Sequence, residues 1–90
     1  MSTQTDTVSV ERVEELVTYI ISGLVDDLKQ LRIETSFDEG EGSLRILVEA
    51  DPNDVGKIIG RGGRTIKSIR TLARASVGSP SLHVDIDVEG

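Results

Sequence analysis

Five cations, Lys57, Arg61, Arg64, Lys67 and Arg70, stand within and beside a glycine-rich turn, Gly60-Arg61-Gly62-Gly63, in a chain of 90 residues. Glycines at both ends of such a turn let the backbone bend sharply and approach another backbone with no Cβ in the way. A helix beginning at Arg64 would aim its unpaired N–H groups, and the positive end of its dipole, at whatever occupies the turn. Arg61 and Arg64 add formal charge at the same spot. The chemistry on offer is therefore the binding of an anion. At about 100° per residue, Arg64, Lys67, Arg70 and Arg74 share one side of that helix, so the cations continue from the turn as a track.

The setting sharpens this reading. Net charge is -6, yet residues 52–78 hold six basic side chains against one acidic, while residues 1–51 hold four against twelve. An acidic chain repels polyanions in general, so a basic island confines contact to a small patch. A solvated helix face or a plain structural turn would account for the charges or for the glycines, but not for cations directed to one side of a glycine turn. Nucleotide-binding loops fail on spacing. Position 58 is Ile and position 64 is Arg, so no Gly-x-x-x-x-Gly-Lys-Ser/Thr can be drawn, and a Gly-x-Gly-x-x-Gly fingerprint stops at Thr65.

Catalytic and metal readings find no support elsewhere. His83 is the only histidine and there is no cysteine, so metal-ligand spacing and a thiolate site are both absent, as is any disulfide framework. Asp85, Asp87 and Glu89 alternate as a solvent-facing strand would, and the acidic segment Asp38 to Glu41 lacks the ligand spacing of a calcium loop. No serine or threonine has the partners of a nucleophile. The expectation is no enzyme, no cofactor, no metal and no small-molecule substrate. No apolar run is long enough to span a membrane and no basic leader is visible, which with the lack of cysteine suggests a cytoplasmic location. Tyr19 and Phe37 are the only aromatics, which argues against recognition by stacking on exposed rings.

The elements that must position the turn follow from periodicity. Residues 1–8 are expected as a disordered tail, with a single domain over 9–90. Val13, Leu16, Val17, Ile20, Ile21, Leu24, Val25 and Leu28 recur at helical spacing, predicting a helix from near Ser9 that ends close to Lys29. Ile33, Thr35 and Phe37, then Leu44, Ile46 and Val48, alternate with polar residues and predict two strands joined by the hairpin loop Asp38-Glu39-Gly40-Glu41-Gly42. Asp51-Pro52-Asn53-Asp54 predicts a helix start, with Asp51 as N-cap, Pro52 at the first helical position and Asp54 reaching back to the cap. That helix must stop before Gly60. The next runs from Arg64 to about Val77 with Ile66, Ile69, Leu72, Ala73 and Val77 on its apolar side, ended by Gly78-Ser79-Pro80. Leu82, Val84, Ile86 and Val88 predict a last strand. The order α-β-β-α-α-β gives a two-layer α/β sandwich of the α+β type: a three-stranded mixed sheet, helices on one face and an acidic, water-facing surface on the other that would reject phosphate.

Ile58-Ile59-Gly60-Arg61-Gly62-Gly63-Arg64-Thr65-Ile66 resembles the KH signature of two aliphatics, a Gly-x-x-Gly loop and a following aliphatic, and the element order resembles the type II, bacterial KH arrangement. Asp51-Pro52-Asn53-Asp54-Val55-Gly56-Lys57 and Ile69-Arg70-Thr71-Leu72 bring the likeness to small single-domain KhpA-type proteins, over about residues 11 to 88. The resemblance implies single-stranded RNA binding of low affinity and broad specificity, as an RNA chaperone or post-transcriptional regulator. Gly60, Arg61, Gly62 and Gly63 would hold the sugar-phosphate backbone, with Lys57, Arg64, Lys67 and Arg70 contributing charge. Ile59 and Ile66 would floor an apolar groove whose far wall is the last strand near Leu82 to Val84. Gly62 departs from relatives that carry a polar or basic side chain there, placing more weight on Arg61 and Arg64. The resemblance also implies a homodimer, a heterodimer with a KhpB-type protein, or both. An adaptor subunit that mainly pairs with such a larger partner is the alternative role.

Overall fold

Three strands and three helices form two layers in the computed structural model, which describes residues 2–77 and 82–90. Helix α1 spans Ser2–Ser22, β1 Arg32–Asp38, β2 Ser43–Glu49, α2 Pro52–Ile59, α3 Arg64–Ser76 and β3 His83–Glu89, with a single 3-10 turn at Arg61–Gly63. The order is α-β-β-α-α-β, as expected. Strand β2 is central: it pairs antiparallel with β1 and parallel with β3.

Register explains which side of the sheet is dry. The rows Ile33, Val48, Val88; Thr35, Ile46, Ile86; and Phe37, Leu44, Val84 face the helices. Val13, Val17 and Ile21 from α1, Ile58 from α2, and Ile66, Ile69 and Ala73 from α3 meet them in one buried cluster. Burial of such side chains, at about 25 cal/mol per Å² of apolar surface, is the driving force for closing the two layers. Glu14 on α1 accepts a hydrogen bond from the Thr35 hydroxyl, the one polar group in the middle of those rows.

Both ends of helix α1 differ from the sequence expectation, as do two positions expected in the core. Helix α1 is helical from Ser2, not from near Ser9; no glycine or proline stands between residues 2 and 22 to stop it. The same helix ends at Ser22, not near Lys29. Gly23 weakens its continuation, and the N–H groups of Asp26 and Asp27, which a longer helix would have used internally, are taken by the Asp54 carboxylate at 3.2 and 3.0 Å. Leu28, expected on the buried stripe, is consequently 60% exposed. Leu72 is also outside the core, on the outer side of α3, with 51% of its surface exposed. The expected stop at Gly78-Ser79-Pro80 lies outside the described residues.

Asp54 itself corrects a further expectation. Asp51 is the N-cap, accepting from the Asn53 N–H at 2.8 Å, and Pro52 opens the helix. Asp54 does not reach back to it. Its buried carboxylate instead crosses to the connection between α1 and β1, 27 and 28 residues away, and pins α2 there. The N–H donors of Asp27 and Asp26, and then the Lys57 ammonium, favour the ionised form and hold its pKa below the ordinary value, against the opposing effect of burial. A depressed carboxylate stabilises the fold above its ordinary pKa, and that contribution is lost as pH falls through the folded value. Native protein should therefore lose thermal stability as pH drops below about 4. Asp54→Asn, which presents an amide donor to backbone donors, should lower the melting midpoint at pH 7 by on the order of 10 °C and flatten that acid dependence, both read by circular dichroism melts across pH.

Candidate nucleic-acid interface

The turn between α2 and α3 is built on an absence of side chain at Gly60. A Cβ placed there would lie 2.1 Å from Thr65 Oγ1 and 2.8 Å from the Thr65 backbone nitrogen, and the residue has φ +78° and ψ 171°, a region open only to glycine. Gly60 closes α2 by donating its N–H to the Gly56 carbonyl at 2.8 Å, and its own carbonyl accepts from the Gly63 N–H at 3.1 Å. Helix α3 can thus start within one residue of the turn. Gly62 and Gly63 also have positive φ, +63° and +76°, but a Cβ on either would meet nothing within 4 Å. Their outer side is open to a ligand.

Electrostatics at the turn favour an anion. No side chain caps the first turn of α3 and no acidic residue stands in it. Arg64 and Lys67 occupy that turn instead, the end where a helix dipole repels cations. Two positive charges held at a positive helix end are unfavourable until an anion joins them. Among the described residues, Arg61, Arg64 and Lys67 are exposed and have neither ion pairs nor side-chain hydrogen bonds. Their charge is available.

Lys57 differs. Its ammonium is bound by Asp26 and, at 3.2 Å, by Asp54, and these partners raise its pKa, Asp26 foremost. It is still partly exposed but serves the α2 anchor rather than standing free beside the loop.

A cavity of about 560 Å³ lies where α3 faces β3. Gly63, Ile66, Lys67 and Arg70 line its helical side, joined by Thr71 and Arg74 further along. The strand side is made by Asp85, Ile86 and Asp87; Leu82 to Val84 are not part of its lining. The apolar floor is Ile66 with Ile86; Ile59 packs against the core and does not line the cavity. Arg61, Gly62 and Arg64 are likewise outside its lining, at the loop. Sequence reasoning did not foresee that Arg70 and Arg74 reach over the free edge of β3, donating to the Ile86 carbonyl at 2.9 Å and the Val84 carbonyl at 3.4 Å. It also passed over Arg45, which borders the same cavity from β2.

A Gly-x-x-Gly loop between two helices, set beside a three-stranded mixed sheet, is the arrangement of a type II KH domain. The KhpA/KhpB KH-domain family matches residues 14–88. This chain belongs to that family. It is 40% identical over 78 residues to the RNA-binding protein KhpA of Chlamydia pneumoniae, covering 83% of this chain and 94% of that one. With the KhpA of Borreliella burgdorferi identity is 36% over 74 residues, covering 82% and 88%. With that of Mycobacterium tuberculosis it is 34% over 74 residues, covering 82% and 89%. The family is one of KH-domain binding proteins and not of enzymes. Among the described residues no cluster of three or more potential metal ligands occurs, and no helix is long and apolar enough to cross a membrane.

The two classes of glycine in the KH loop should respond differently to substitution. Gly60→Ala meets both a forbidden backbone region and Thr65, so it should lower the melting midpoint by on the order of 10 °C. Gly62→Asn, placed in left-handed conformation with open space, should cost only a few degrees, since asparagine tolerates that region. Thermal melts of the two variants side by side measure the difference.

Proposed function

We propose that this KH domain binds single-stranded RNA, with the Gly60 to Gly63 loop as the backbone clamp and the face of α3 bearing Lys67 and Arg70 as its continuation. The observation that carries the reading is the uncapped N-terminus of α3 behind that loop, furnished with Arg61, Arg64 and Lys67, which are unpaired among the described residues, and with no acidic residue in its first turn. Relatives of similar sequence are RNA-binding proteins by name, which agrees with it. Ile66 and Ile86 offer aliphatic contact to bases, which suits a chain with only two aromatic residues. Few free cations and a net charge of -6 point to modest affinity and broad specificity, in keeping with an RNA chaperone or post-transcriptional regulator in the cytoplasm.

A second reading, pairing with another copy or with a KhpB-type protein, is favoured by one observation: Leu72 on α3 is half exposed where the helix pattern would have buried it. One domain contacts about four nucleotides, so pairing would raise affinity by avidity. Sedimentation velocity at micromolar concentration should show a dimer for the native chain and a shift toward monomer for Leu72→Glu; equal sedimentation of both would remove Leu72 from any interface.

The RNA reading is tested by fluorescence anisotropy with a random single-stranded RNA pool over a salt series, comparing native protein with the double variant Arg61→Asp, Gly62→Asp. Three neutralised phosphates should give a log-log salt slope near about -2 for the native protein. Loss of salt-dependent binding in a folded double variant is the expected result. Equal binding by both proteins would sink the loop as the clamp.

A further inference from the structure

The cavity beside α3 does not end at the helix. It passes over the edge of the sheet and is bordered on the far side by Arg45, a residue of the central strand whose side chain lies on the open, water-facing surface with Asp85 and Asp87. That surface is mostly acidic and was expected to reject phosphate. Arg32 on the same surface is also unpaired among the described residues, but of the two only Arg45 borders the cavity, and three further observations bear on it. Asp85 is its direct partner in register on β3, yet no ion pair forms between them. Among the described residues the exposed Arg45 guanidinium has no hydrogen-bond or ion-pair partner at all. Between Arg45 and the helix, the edge of β3 is bridged by two more guanidinium groups, Arg70 on the Ile86 carbonyl and Arg74 on the Val84 carbonyl.

We propose that Arg45 is an additional phosphate-binding residue, and that the RNA strand leaves the Gly60 to Gly63 loop along α3, crosses the β3 edge beside Arg70 and Arg74, and ends on Arg45. The inference rests on the RNA-binding reading of the loop and extends it. From Gly63 to Arg74 the helix advances roughly 16 Å at 1.5 Å per residue, so a strand following it runs past the nucleotides held at the loop. The cavity wall carries four cations, Arg45, Lys67, Arg70 and Arg74, against two carboxylates. Its balance is positive in the middle of an acidic chain. A guanidinium with no internal partner offers its fork to phosphate oxygens. Asp85 and Asp87 set the limit of the path: they disfavour a phosphate further out over the sheet, which holds the strand to the edge.

The test uses the full chain with fluorescein-labelled single-stranded RNAs of four and ten nucleotides, random in sequence, and reads anisotropy against salt. Native protein, Arg45→Gln and Arg45→Lys are compared, with the Arg61→Asp, Gly62→Asp variant as reference for the loop. With the ten-mer, Arg45→Gln should flatten the log-log salt slope by about 0.7, the share of one phosphate on a single strand, and Arg45→Lys should restore it. The deficit should shrink with the four-mer. Arg45 is exposed on a strand face, and circular dichroism melts confirm that each variant is folded. A native-like slope for Arg45→Gln on the ten-mer, with binding still abolished by the loop variant, overturns this inference and leaves the loop reading intact. An equal deficit on both lengths also overturns it, since Arg45 would then act on the clamp and not beyond it. Absence of binding by native protein to either RNA removes the loop reading and this one together.

Discussion

One carboxylate fixes the geometry on which the interface depends. Asp54 is almost fully buried, and a buried charge is tolerable only when its lone pairs are met by donors. Here they are met by two backbone N–H groups from the connection after α1 and by the Lys57 ammonium. The same contacts decide three things at once. They end α1 before the connection, they lay α2 against it, and they draw in Lys57, which in turn binds Asp26. With α2 held at its start, its far end delivers Gly60 to a defined place, and α3 follows from there into the core through Ile66, Ile69 and Ala73. The loop is therefore positioned from outside, by a polar anchor at the other end of a helix of eight residues.

Much of this architecture is readable from local pattern. Alternation in the three strands and the aliphatic spacing of α3 specify which faces are dry, because a period of two or 3.6 leaves little choice once one side must be buried. Asp51 and Pro52 mark the start of α2 for reasons confined to four residues. What escaped is of a different kind. Asp54 looks like an ordinary first-turn acid until the fold brings Asp26 and Asp27 to it, and the end of α1 at Ser22 depends on that same distant contact. The periodic Leu24, Val25 and Leu28 continue the helical spacing past the point where the helix stops. Arg70 and Arg74 read as the continuation of an anion-binding track from the turn, whereas their partners are main-chain carbonyls of a strand 10 to 16 residues later. Hydrogen bonds to backbone carry no side-chain signature at the accepting end, so sequence cannot announce them.

Those two arginines also resolve a liability of the topology. Strand β3 is an edge, and an edge presents unpaired backbone groups to any passing strand. The carbonyls of Val84 and Ile86 face away from β2 and would be exposed acceptors; Arg74 and Arg70 occupy them. Protection by guanidinium rather than by a covering loop leaves the space above the edge open and positively charged. The cavity exists for that reason. A helix packed closely on the edge would have shielded it equally well and closed the groove.

The Gly-x-x-Gly pattern then divides into a structural half and a chemical half. At Gly60 the fold demands glycine, since Thr65 fills the place where a side chain would be, and the demand comes from the protein alone. At Gly62 and Gly63 the backbone is left-handed but the space around is empty, so the fold asks for a conformation and not for a vacancy. Space that no internal atom needs is space a ligand backbone can enter. The cations follow the same division: Lys57, next to the anchor, is consumed by Asp26 and Asp54, while Arg61, Arg64 and Lys67, next to the empty side, have no partner among the described residues. Burial of one carboxylate in an acidic chain thus absorbs the cation nearest to it and leaves the others to face outward, around the only part of the turn that is free of side chains.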